Sequence, residues 1–293
     1  MSEQSDSHFY DLESYIIEHG NVADVLRLIS AGYKIDEDVT KSILDEVEDL
    51  LNEDGGVPFG LDEGNPSSVK ETSELVPLLL KFRETHGHLI KKMVGFIVSR
   101  QKNDGGFAET MNLDYLIEDR YGTKWGSEFY PVGKSVTWLT GKALEALSLA
   151  EYDNEVRLKR ARDFLIHSQN EDGNWPDFIN MGHSDPLATG NILTGLRAVG
   201  VDSKTKVYRD ARAALYQHIK DALENKSADD MVDLTAVCPP ETDKELDVIN
   251  GGLELIISTQ NKDGGWLPLG SKKSDSELSS ILGFVLKKCE KYK

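Results

Sequence analysis

Few side chains in this 293-residue chain stand at a spacing that could do chemistry. Asp229-Asp230-Met231-Val232-Asp233 puts three carboxylates near one turn, enough to recruit a hard cation. Asp185, in His183-Ser184-Asp185-Pro186, stands at a predicted helix start, where an N-cap role competes with a chemical one. Aromatic residues crowd the stretch 108–133, with Tyr115, Tyr121, Trp125, Phe129 and Tyr130, and Trp138 follows just beyond it. Long aromatic loops in compact folds tend to be functional or to bind partners. Cys238 and Cys289 form neither a C-x-x-C pair nor a disulfide framework, and read as small core residues of a protein kept in a reducing compartment. No G-x-S-x-G, phosphate loop, H-E-x-x-H or EF-hand pattern occurs, which leaves serine-hydrolase and nucleotide-binding readings without support.

The elements that must position these residues announce themselves as a repeat. Phe96-Ile-Val-Ser-Arg-Gln101-Lys-Asn-Asp104-Gly-Gly-Phe107, Phe164-Leu-Ile-His-Ser-Gln169-Asn-Glu-Asp172-Gly-Asn-Trp175 and Leu255-Ile-Ile-Ser-Thr-Gln260-Asn-Lys-Asp263-Gly-Gly-Trp266 share one register. Each reads as an amphipathic helix stopped by Asp-Gly, with an aromatic residue free to fold back over the glutamine amide and the last helical turn. A degenerate first copy ends in Asp54-Gly55-Gly56-Val57-Pro58-Phe59, with Leu51 where the glutamine belongs and the aromatic displaced to Phe59. Between the copies lie second helices, predicted over 67–83, 135–150, 185–199 and 274–288. Ala188-Thr189-Gly190 and Thr140-Gly141 recur within them. After the helix predicted over 208–225 no such ending follows, and the repeat has decayed there.

This spacing resembles the QW motif of the squalene-hopene cyclase and protein prenyltransferase superfamily, the terpenoid cyclases in the broad sense. The resemblance implies an all-α fold, a single α/α toroid of inner and outer helices around an apolar cavity. Residues 1–36 would then form an N-terminal tail and capping helices, and 37–293 the toroid. Cyclases of this family protonate an alkene or epoxide with the middle acid of a D-x-D-D-T-A motif. Met231-Val-Asp233-Leu-Thr235-Ala236 keeps the middle Asp, the Thr and the Ala, with Met231 and Leu234 where the outer acids belong. Asp233 is thus the first candidate for a proton donor and Asp185 the second. Trp125, Tyr130 and Trp138 would line the cavity mouth as a platform for an isoprenoid, or pack between hairpins. In the prenyltransferase branch an Asp, a Cys and a later His hold zinc. Here Asp233 and Cys238 do not form D-x-C and no histidine follows Cys238, so zinc is not expected. No cofactor is expected, magnesium excepted where a diphosphate ligand binds. A polyisoprenoid is the implied small-molecule partner. The competing reading is a toroid without catalysis that binds a protein or a lipid through the aromatic insertion.

Composition narrows the partners. The charge balance of 33 basic against 51 acidic residues gives a net −18, which opposes nucleic acid, anionic lipid and anionic polysaccharide alike. The opening residues 1–7 are polar and form no leader, and no apolar run approaches the length of a membrane span, which predicts a cytoplasmic protein.

Overall fold

A computed structural model of the chain describes residues 10–179 and 181–292; the tail expected over 1–7 lies outside them. The described helices are α1 (Leu12–His19), α2 (Val22–Ala31), α3 (Glu37–Leu50), α4 (Val69–Leu79), α5 (Arg83–Ser99), α6 (Asp114–Tyr121), α7 (Thr123–Phe129), α8 (Thr137–Leu149), α9 (Glu155–Ser168), α10 (Pro186–Ala198), α11 (Lys206–Glu224), α12 (Leu234–Val237), α13 (Asp243–Thr259) and α14 (Ser276–Cys289). Strand pairing among the described residues is confined to a two-residue antiparallel ladder, Val57–Pro58 with Ser67–Ser68, and isolated bridges. The chain divides into two compact units, one of residues 1–44 with 216–293 and one of residues 45–215.

In the unit of residues 45–215 the repeat motif works as a clamp with more parts than the sequence showed. The Gln101 amide donates to the Gly105 carbonyl at 3.0 Å and to the Arg157 carbonyl in the first turn of α9 at 2.9 Å. Gln169 does the same to Gly173 at 2.8 Å and to Val207, at the start of α11, at 2.9 Å. The glutamine therefore ties its own turn to the next helix of the outer series. The aspartate accepts the amide two residues on and a serine hydroxyl: Asp104 from Gly106 and Ser135, Asp172 from Asn174 and Ser184. Gly105 and Gly173 take φ of +100° and +88°, and a Cβ on either would stand 2.4 or 2.5 Å from a carbonyl oxygen of the neighbouring helix. Only glycine satisfies both the dihedral and the approach. The aromatic's backbone amide then donates to a threonine of the next inner-series helix, Phe107 to Thr140 at 2.9 Å and Trp175 to Thr189 at 3.2 Å.

The first copy keeps this geometry in altered form. Asp54 accepts from Gly56 and Ser67, and the amide that reaches Thr72, at 3.0 Å, belongs to Val57. Val57, not Phe59, thus occupies the aromatic's place, because the turn sets the position by backbone hydrogen bonds. The inner-series helices α4, α8 and α10 pack side by side, α8 between the other two. At the α8–α10 crossing a Cβ on Gly195 would lie 2.4 Å from the Gly141 carbonyl, so backbone meets backbone there. That contact explains why Gly141 and Gly195 are glycines.

In the other unit α14 is the hub, packed on α1, α2, α12 and α13. Leu12, Ile16, Leu26, Leu28, Leu282 and Val285 are all fully buried in it. The Tyr33 hydroxyl donates to the Gly283 carbonyl at 3.0 Å, and the buried Asp24–Arg27 pair, 3.0 Å apart, shares Ser280 of α14. The last clamp closes onto the start of α1. Gln260 donates to the Tyr10 carbonyl at 3.2 Å and accepts its amide at 2.9 Å. No described helix is long and apolar enough to cross a membrane.

Candidate functional site

The third repeat builds a carboxylate pair. Past Trp175 the chain runs extended through Pro176, with bridges of Val136 to Phe178 and of Trp175 to Asp185. The Asp177 carbonyl accepts the Thr137 amide at 2.7 Å, at the first residue of α8, and Asp185 donates its amide to Trp175 at 2.7 Å. Proline holds the residue before it in an extended conformation, which suits this strand-like connection. Asp177 is thereby carried to the N-terminal ends of α8 and α10, where it is 4% exposed. Asp185 caps α10 there, one carboxylate oxygen accepting the Leu187 amide at 2.8 Å.

The two acids meet. The carboxyl of Asp177 hydrogen-bonds that of Asp185, and its pKa is pushed up to about 7, by burial first and by the neighbouring Asp185 charge second. Two carboxylates in contact cannot both stay ionised, so the pair retains a proton near neutral pH. An acid that keeps its proton in a dry place at working pH is what proton donation to a weak base such as an alkene requires.

Of the residues singled out in the sequence, Asp185 is an N-cap and also half of this pair. Asp233 closes the short 3-10 turn Asp229–Asp233 before α12, half-buried, in the unit of residues 1–44 and 216–293. Its neighbours in the D-D-x-x-D run are engaged elsewhere: Asp229 accepts the Leu269 amide at 2.6 Å and Asp230 lies 3.5 Å from His218. Among the described residues no group of three or more His, Cys, Asp or Glu is placed to hold a metal ion. Tyr130 and Trp138 come together, ring centroids 5.0 Å apart, whereas Trp125 stacks on Phe129 and is 55% exposed. The repeat residues Gln101, Asp104, Phe107, Gln169, Asp172, Trp175, Gln260, Asp263 and Trp266 form the clamps.

Sequence reasoning passed over Asp177 and also Glu109, which stands at the same place, two residues past the aromatic of its repeat. Glu109 is 3% exposed. Its carboxylate accepts the Val69 and Lys70 amides at 2.8 and 3.0 Å, the Ser68 hydroxyl at 2.8 Å and the Tyr130 hydroxyl. Burial pushes it above the ordinary carboxyl range while these donors pull it back. The signal available was an aromatic-x-acid spacing in two of the three good repeats, Phe107-Ala-Glu109 and Trp175-Pro-Asp177. Also unforeseen were the charges on the inner-series helices, where Lys142 pairs with Glu74 at 2.9 Å and Thr194 donates to Glu145 at 3.2 Å.

No protein-family model matches the chain. It is similar to the lanosterol synthase of Pneumocystis carinii, 27% identical over 173 residues, taking in 49% of this chain and 21% of that protein. The lanosterol synthase of Saccharomyces cerevisiae is 34% identical over 86 residues, 29% of this chain and 10% of that protein. The aligned regions thus span about a fifth or less of these relatives. Among solved structures, the type II terpene cyclase MstE from Scytonema superposes with a TM-score of 0.67 at 11% identity, over 92% of this chain and 88% of its own. The ent-copalyl diphosphate synthase of Streptomyces platensis does so with a TM-score of 0.58 at 17% identity, over 96% and 50%. The fold class is the all-α toroid these structures share. With the lanosterol synthase similarity, it supports an assignment to the terpenoid cyclase superfamily.

Proposed function

We propose that this chain is a cyclase-like protein that takes up a polyisoprenoid and starts its cyclisation by proton transfer from Asp177. The observation that supports this reading is the buried Asp177 carboxyl held against Asp185 with its pKa near 7. The proton leaves Asp177 for one carbon of an alkene, and the π electrons of the next alkene close a ring onto the cationic carbon. Loss of a proton from the final cation completes an isomerisation with no net change in atoms. Asp185 positions the donor, and its own place is secured by capping α10. The lanosterol synthase similarity and the cyclase fold support the substrate class. MstE has a structure in complex with merosterolic acid A, a product, which supports an isoprenoid-like ligand by analogy.

The test is product profiling after incubation with polyisoprenoid alcohols, epoxides and diphosphates, the last with Mg2+, alongside native mass spectrometry for binding. Wild type is expected to bind and convert one of them, and Asp177→Asn to bind it without conversion. Conversion lost in Asp233→Asn but kept in Asp177→Asn would move the acid to Asp233. Absence of any bound isoprenoid would turn attention to the aromatic insertion. There Met111, Tyr115 and Trp125 are 70%, 61% and 55% exposed, which favours a contact with a protein or lipid partner as the second reading.

A further inference from the structure

Cys238 follows α12 and Cys289 ends α14; both are buried, 7% and 0% exposed, and their sulfurs lie 3.1 Å apart. No disulfide joins them in this structure, and they are 51 residues apart in the chain. Their place in the fold is not neutral. No Gln-Asp-Gly-aromatic ending follows α11, so the segment 229–238 lacks the clamp sequence that secures the good repeats. It is held by apolar burial, with Met231 and Leu234 fully enclosed, by the Leu269 amide on Asp229, by the approach of Asp230 to His218, and by the thiol contact at its end.

We propose that Cys238 and Cys289 are a redox pair that closes to an intramolecular disulfide under peroxide, and that this bond replaces the missing clamp. Cys238, the more accessible thiol, reacts first: its S–H becomes S–OH as the peroxide O–O bond breaks and water leaves. The Cys289 sulfur then attacks the Cys238 sulfur. The S–S bond forms, the S–OH bond breaks, and hydroxide departs with the Cys289 proton as a second water. Two thiols and one hydrogen peroxide give one disulfide and two waters. The contact with Cys238 and burial push the Cys289 thiol up, which disfavours it for the first attack.

The test uses the full chain, reduced and then treated with hydrogen peroxide in the folded state. It is next denatured, alkylated, weighed intact and mapped by peptide. The expected result is loss of both alkylation sites in a monomeric chain, a peptide linking Cys238 to Cys289, and a Tm raised by roughly 5 °C that dithiothreitol reverses. The same treatment of Cys289→Ser should leave Tm where it was. Two alkylated cysteines after treatment, a lone sulfinic acid on either, or a bond between two chains would each overturn the proposal.

Discussion

Asp177 and Glu109 hold the same place in successive repeats and differ by one methylene and in what surrounds the carboxyl. Glu109 meets two helix amides, a serine and a tyrosine; Asp177 meets another acid. This difference has a measurable consequence for stability. The folded-state pKa of about 7 lies above the ordinary value of 3.8, so the folded chain holds a proton that the unfolded chain releases. The contribution is full below the unfolded value and is lost as pH rises through the folded one. In urea unfolding, wild type should lose roughly 2 kcal/mol more than Asp177→Asn between about pH 5 and about pH 8. Equal losses in the two proteins would show that Asp177 carries no such proton.

Each clamp joins a turn to two helices, and its aromatic residue supplies both burial and a hydrogen bond. Trp175 is fully buried, and its indole N–H donates to the Leu165 carbonyl at 2.7 Å. Trp175→Ala should therefore cost about 4 kcal/mol through the cavity it leaves. Trp175→Phe should cost about 1 kcal/mol through the unmet carbonyl, since Phe107 fills the same place in the preceding repeat. Chemical denaturation of both variants separates the two terms; indistinguishable losses would mean that the hydrogen bond, not the ring, dominates. The glutamine, the Asp-Gly turn and the aromatic were legible in the sequence because they lie within seven residues of one another. The part that Thr140, Thr189 and Ser279 play in the clamps was not. Each completes a clamp from 33, 14 and 13 residues away, and the unequal loop lengths hide the register.

At the scale of the whole chain, the N-terminal helices belong to the same compact unit as the C-terminal ones. Leu12 and Leu28 crowd Gly283, Tyr33 bonds its carbonyl, and Gln260 holds Tyr10 through both backbone groups. Removal of residues 1–33 should expose the buried face of α14, and its amides should lose hydrogen-exchange protection while those of α8 and α10 keep theirs. Unchanged protection in α14 would mean that α1 and α2 contribute nothing to its stability.

What the amino-acid sequence determined by itself was periodic and local: the helical series, the turns that end it, and through their register the fold class. Tertiary structure decided the chemistry. Asp177 and Asp185 are unremarkable acids eight residues apart in the sequence. They become a proton-retaining pair only because the chain turns back past Trp175, brings them together at two helix ends and buries Asp177 there. Cys238 and Cys289 likewise gain a partner only when α12 is laid on α14. Periodicity records which face of a helix is buried; it carries no information on which distant side chains share that burial, and pKa and reactivity depend on the latter.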